Sequence, residues 1–263
     1  MSHNPGPLKV HFCGSIPTTH VNHGHICKNL KELVGALLLS GHTVVIRGVP
    51  KIDEPKTLVD DIAYQAARDI AARGSWNPNS LFVIDEARLE SHLERDFGYQ
   101  TISSPYTDRR DFYEEILSHS DVIVGIGGGP GLMRIVALAE WTHLPLFALR
   151  GAGGEADGLW ADILTKCHQS KFLTDPQKES LRRLESIGAV SSDYGPKTAA
   201  LLVDITYYLK DRLRDTNHSS LDFESITISE LISVCKRLTV GSWLTIAGVL
   251  GATFAAGAAS KLF

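Results

Sequence analysis

Residues Asp121 to Arg150, DVIVGIGGGPGLMRIVALAEWTHLPLFALR, decide how the rest of this chain is read. Val122 to Ile126 is apolar and β-branched on both faces, which suits a strand covered on both sides in a parallel sheet. Gly127, Gly128, Gly129, Pro130 and Gly131 form a turn, Leu132 to His143 is predicted to be helical, and Leu144 to Leu149 is the next strand. Glycines in such a turn permit positive φ and close approach of the backbone. The following helix offers unsatisfied N–H groups and a partial positive charge, where a phosphate fits. The plainer alternative is a tight strand-to-helix turn that needs glycine for its geometry alone. Four glycines around one proline at a strand's carboxyl end favour the ligand site.

Working outward, Leu8 to Cys13 is predicted as the first strand and places Gly14 and Ser15 at another carboxyl end. Apolar residues at 30, 33, 34, 37 and 38 predict a helix over Asn29 to Leu39, closed by Gly41. Thr43 to Ile46 is the second strand and ends at Arg47. Thr57 to Arg73 is helical and stops at Gly74, and Leu81 to Ile84 is the third strand. A less regular piece runs to Pro105, followed by a helix from Arg109 to Ser118 with Asp108 as its N-cap. Strand and helix alternate, which predicts a doubly wound α/β fold: a Rossmann-like parallel sheet with helices on both faces. Ligands of such folds bind beyond the strands' carboxyl ends.

The 263 residues carry a net charge of −4, which argues against a generic nucleic-acid binder. Cys13, Cys27, Cys167 and Cys235 form no CxxC pair, and MSHNPGP has no secretory pattern, so a reduced, cytoplasmic setting is expected. His20, His23, His25 and Cys27 are all possible zinc ligands, but their spacing is irregular and no second cluster completes it, so no metal is expected. They read as a polar loop after the first strand, one histidine of which could line a pocket.

Three motifs, a strand ending in Cys13-Gly14-Ser15, the run D-x-I-V-x-I-G-G-G-x-G from Asp121 to Gly131, and the strand LPLFAL, together resemble the SLOG superfamily over roughly residues 8 to 165. That superfamily of Rossmann-like domains includes the LOG-type nucleotide phosphoribohydrolases and the nucleotide-sensing domains of antiphage systems such as Thoeris. The hydrolases carry a PGGxGTxxE-type loop. Here Gly128, Gly129 and Gly131 match it, Leu132 stands at the threonine, and Arg134 and Ile135 stand where acid is expected. Cleaving a glycosidic bond needs a carboxylate to stabilise positive charge on the ribose and activate water. Arg134 is better suited to holding phosphate. The resemblance therefore implies a nucleotide binder without the hydrolytic pair, with Gly14, Ser15, Arg47, Arg109, Gly127, Gly128, Gly129, Gly131 and Arg134 as candidate ligand contacts, no catalytic residue and no cofactor.

Other charges have two readings. Arg109 and Arg110 stand in a helix's first turn, facing either an anionic ligand or solvent with Asp111 and Glu114. Asp85 and Glu86 could engage ribose hydroxyls, act as catalytic carboxylates, or cap the next helix. Glu140, in the central helix's last turns, reads as structural.

The Gly-rich GAGGEADG is predicted as a loop, Leu159 to Cys167 as a short helix, and Lys178 to Ile187, Lys197 to Leu213 and Ile226 to Leu238 as further helices. From Val240 to Ala259 no residue is charged, and Lys236, Arg237 and Lys261 flank the run. A helix of that length spans a bilayer core. Small residues recur four apart, Trp243 sits near one end, and the preceding basic pair favours a cytoplasmic domain. The alternatives are a Gly/Ala-rich helix buried between protomers and a tail sheltered at rest and released on activation. The expected organisation is a nucleotide-binding domain (residues 1–214), a linker with an amphipathic helix (215–238), and an apolar terminal helix (239–263).

The resemblance extends to the layout of antiphage effectors of the Thoeris and CBASS type. It implies a sensor of a nucleotide second messenger, of cyclic ADP-ribose type for example, that oligomerises on binding and acts on the inner membrane. The competing expectations are a membrane-anchored N-glycosidase or phosphoribohydrolase using Asp85, Glu86 or Glu140, and a scaffold without nucleotide affinity.

Overall fold

The computed structural model describes residues 6–48, 56–86, 93, 96–106, 108–142, 144–149 and 151–159, with scattered helical positions from 175 to 207. The chain falls into two units, Met1–Arg214 and Asp215–Phe263, and every described residue belongs to the first. The linker, the amphipathic helix at 226–238 and the apolar run at 240–259 lie outside the described residues, as does the helix expected after Asp85 and Glu86. Among the described residues no helix is long and apolar enough to cross a membrane.

Seven strands form one sheet: β1 (Lys9–Pro17), β2 (Thr43–Arg47), β3 (Lys56–Leu58), β4 (Leu81–Glu86), β5 (Gln100–Ser104), β6 (Val122–Gly127) and β7 (Leu146–Leu149). Their order is β5-β4-β2-β1-β6-β7, all parallel, with β3 antiparallel to the end of β1. Among the described residues, these helices accompany them: α1 (His23–Leu39), α2 (Val59–Ala72), α3 (Arg109–Ser118) and α4 (Pro130–Trp141). α1 packs on α2, and α3 on α4. Right-handed crossovers that lead left from β1 through α1 and α2, and right through α3 into β6 and through α4 into β7, put these pairs on opposite faces. This is the doubly wound Rossmann-like arrangement expected, and the order reverses between β1 and β6.

The core follows the same logic. Every residue of β6 is buried, as a strand covered on both faces must be. α1 buries Ile26, Leu30, Leu33, Val34, Leu37 and Leu38, the face read from its periodicity, and Gly41 at φ 83° accepts the left-handed turn that ends it. Asp108 caps α3 as expected, its Oδ1 accepting from the Arg110 N–H at 2.7 Å.

Several boundaries differ from the sequence reading. β1 does not stop at Cys13: Gly14 and Ser15 stay paired with Ile126 and Gly127, and Ser15 to Pro17 pair with β3. α1 starts at His23 rather than Asn29, so His23, His25 and Cys27 are helical and not a loop. Lys56–Leu58 is a strand, which moves the start of α2 from Thr57 to Val59. β5 occupies the piece read as irregular. α4 starts at Pro130, whose fixed φ and missing N–H suit a first helical position. Glycine turns fill only Gly151 to Gly154, and residues 155–159 are already helical.

His11 is a buried polar group at the middle of β1. Its Nδ1 lies 3.0 Å from the Val45 carbonyl, and among the described residues its Nε2 has no partner. Burial pushes its pKa down to about 4, against an opposing pull from Asp60. The unfolded chain takes up this proton near pH 6.5, whereas the folded one does so only near pH 4. Stability should therefore be level above pH 6.5, fall by about 3 kcal/mol as pH drops to 4, and level off below. Urea midpoints across that range should show the fall, and His11→Asn, which keeps an N–H for Val45 but does not titrate, should flatten it.

Candidate functional site

At the carboxyl ends of β1, β2, β4 and β6 opens a cleft of about 410 Å³. Gly14 and Ser15 of β1, Arg47 at the end of β2 with Gly48 after it, and Glu86 of β4 lie along the strand ends. Lys56 and Leu58 of β3 enter from one side. Arg109, Phe112 and Tyr113 of α3 and Gly128 to Leu132 with Ile135 of α4 and its turn enter from the other. A cleft beside the strand-order reversal is where such sheets bind ligands.

The glycines divide into two roles. Gly127 and Gly128 have φ of 57° and 78°, and a Cβ on Gly127 would stand 2.4 Å from the Ser15 carbonyl oxygen. Gly128 N–H donates to that oxygen at 2.8 Å. From outside, Gly154 (φ 70°) presses on the turn: a Cβ there would meet the Gly128 oxygen at 2.4 Å. These positions need glycine for the turn itself. Gly129 has open space around it, and a Cβ on Gly131 would meet only the Tyr113 hydroxyl, at 4.0 Å. The second pair keeps the first turn of α4, the positive end of the helix dipole, open to the cleft; within that turn the Leu132 N–H donates to the Gly129 carbonyl at 2.9 Å.

Arg47 reaches the cleft wall from the end of β2, held from behind by Asp60. Its Nη2 lies 2.6 Å from Asp60 Oδ2 and its Nε 3.3 Å from Oδ1, and its own backbone N–H donates to Oδ1 at 2.9 Å. The Asp60 side chain is fully buried, while that of Arg47 is 24% exposed. The Asp60 carboxylate, against the effect of burial, raises Arg47 above the usual guanidinium range, with smaller help from Tyr113 and Cys13. Burial pushes the Cys13 thiol up to about 12, so it is not a nucleophile at neutral pH.

Gly14, Ser15, Arg47, Arg109, Gly128, Gly129 and Gly131 are thus brought together, and Gly127 supports them from behind. Arg134 is not: it is exposed on α4 and absent from the cleft wall. The wall position is Ile135, 3% exposed, beside Leu132. The final acid of the PGGxGTxxE-type loop therefore falls on an apolar residue lining the cleft, and Arg134 faces elsewhere. Arg110 pairs with Glu114 at 2.9 Å on the solvent side. Glu86 lines the cleft, whereas Asp85 packs against Gly48, where a Cβ would clash with its Oδ1. The Glu140 side chain lies outside the described residues.

Of the histidine cluster, His20 accepts from the Asn22 N–H at 3.2 Å, and His23 Nε2 lies 2.9 Å from Thr57 Oγ1 and 3.5 Å from Cys27 Sγ. Among the described residues no group of three or more His, Cys, Asp or Glu could hold a metal.

Sequence reasoning missed Lys56, Asp60 and Tyr113. Tyr113 was findable, since it lies four residues from Arg109 and so on the same helical face. Asp60 was not, because an acid in a helix's first turn reads as a partner of the helix dipole.

No family model and no curated protein matches the chain. The solved structures that it is similar to include three. One is the structural-genomics target TM1055, 21% identical over 58% of this chain and 79% of that one, with a TM-score of 0.44. Another is the molybdenum cofactor binding protein of the phototrophic bacterium Rippkaea orientalis, 19% identical over 71% and 99%, with a TM-score of 0.42. The third is the molybdenum cofactor carrier protein of Chlamydomonas reinhardtii, 14% identical over 69% and 99%, with a TM-score of 0.41. The Rossmann-like character of this chain rests on its own strand order and on the glycine-turn cleft at its strand ends.

Proposed function

We propose that residues 1–214 bind a phosphate-bearing, nucleotide-type small molecule as a signal, and that the chain passes this signal to a membrane through its apolar C-terminal segment. The observation that supports binding is that Gly129 and Gly131 leave the start of α4 open onto a cleft whose other walls carry Arg47, Lys56 and Arg109. Phosphate oxygens then meet backbone N–H groups and guanidinium N–H groups together. The apolar wall of Phe112, Leu132 and Ile135 suits the rest of a nucleotide and offers no carboxylate. For the signal to travel, the ligand must bind an assembled state more tightly than the resting one. The uncharged run at 240–259 supports a membrane as the target.

The full chain, purified in detergent, is incubated with adenine nucleotides, NAD, and linear and cyclic ADP-ribose, and what stays bound is identified by chromatography. A ligand retained intact supports the sensor, and no retention of any member sinks it. Gly129→Trp fills the open side of the turn and should weaken retention about tenfold or more, a cost of about 1.4 kcal/mol. Its melting temperature should stay near that of the unaltered protein, because no atom lies where the new side chain starts.

One observation favours a second reading: Glu86 lines the cleft and could serve an N-glycosidase as its carboxylate. That reading predicts a cleaved ligand, and Glu86→Gln should then leave the same ligand intact.

A further inference from the structure

Arg47 is a cleft cation whose direction is set from behind by the Asp60 carboxylate, and this arrangement rests on the binding reading above. Asp60 takes the Nε and one Nη2 hydrogen of the guanidinium and so fixes the plane of the fork. The remaining N–H groups point away from the carboxylate, and the side chain, partly exposed, lines the cleft. Tyr113 lies at the same place: it lines the cleft with its residue only 7% exposed, and its hydroxyl stands 4.0 Å from where a Gly131 Cβ would be.

We propose that Asp60 is a positioning residue for ligand recognition: it holds Arg47 so that the guanidinium and the Tyr113 hydroxyl grip one phosphoryl group of the ligand against the open start of α4. A fork held side-on matches a group with several oxygens in one plane of approach, which a point charge does not. Asp60 therefore acts on affinity through orientation, although its own charge opposes an anion.

That opposition gives the test a sign. Asp60→Asn removes a negative charge close to the cleft, so a purely electrostatic or structural role predicts anion binding that is unchanged or tighter. Positioning predicts the reverse. Inorganic pyrophosphate is titrated calorimetrically into the full chain in detergent, at a temperature where circular dichroism shows each variant folded. The unaltered protein is expected to bind it and Gly129→Trp to weaken this about tenfold or more. Asp60→Asn should bind about tenfold more weakly, Arg47→Lys as weakly although it keeps the charge, and Tyr113→Phe several-fold more weakly with an unchanged melting temperature. If Asp60→Asn does not fold, the Arg47→Lys and Tyr113→Phe titrations decide. Pyrophosphate binding that Gly129→Trp weakens but that these variants leave intact overturns the positioning role and keeps the binding site. No binding by the unaltered protein overturns both.

Discussion

Gly14→Ala is expected to lower stability by about 3 kcal/mol or more, a large share of the roughly 5–15 kcal/mol by which a domain is stable. Gly14 sits within β1 at φ 126°, where L side chains are strained, and a Cβ would come 2.1 Å from the Ile126 carbonyl oxygen. That oxygen belongs to the facing residue of β6, so relief requires the two central strands to part. Gly24, near the start of α1, is the control. A Cβ there meets nothing within 4 Å, and alanine should stabilise by about 0.5–1 kcal/mol through helix propensity. Urea denaturation of both variants checks the pair. A Gly14→Ala midpoint within error of the unaltered protein would refute the account of β1.

Asp60→Ala is the second large effect. Breaking a fully buried ion pair typically costs about 3–5 kcal/mol, because one charge is left without compensation. Arg47 retains some exposure to the cleft, so the lower end, about 3 kcal/mol, applies here. The loss also strands the Arg47 backbone N–H, which donates to the same carboxylate. Replacing both partners, Asp60→Leu with Arg47→Met, should cost less than Asp60→Ala alone, since no charge is then left behind. A double variant less stable than the single one, measured by the same denaturation, would contradict this.

The fold was legible wherever burial writes a pattern. Val122–Gly127 announced a doubly covered strand, and the α1 face announced itself by spacing. The edge at β7 was legible from its apolar run, but the opposite edge and the short antiparallel strand were not. β5 has exposed and half-exposed positions and no apolar run, and β3 is three residues long, paired only because β1 continues past Cys13. The site was half legible for a related reason. Glycines declare a turn but not which of them face the ligand; that depends on Ser15, Gly154 and Tyr113, distant in sequence. Arg47 was found from its place at a strand end, whereas Asp60 is defined by the side chain it touches, which no spacing reports. Arg134 was chosen for its charge, but one position on a helix is a turn of about 100°, and Ile135 took the cleft.

β1 is completed from two directions at different times. Its pairing with β2, from Lys9↔Thr43 to His11↔Val45, and with β3 needs only the chain as far as Leu58. Its other side waits for Val122 to Gly127. A chain made from its N-terminus can therefore assemble β1, β2 and β4 under α1 and α2 while the sheet still ends at β1. The long sequence separation makes joining β6 a slow, non-local step. Both the glycine turn and the first helical turn beyond it arrive with that step. The nascent chain has one bank of the cleft early and the opposite bank late, and until the ribosome has passed Ile135 it has no place to hold a ligand.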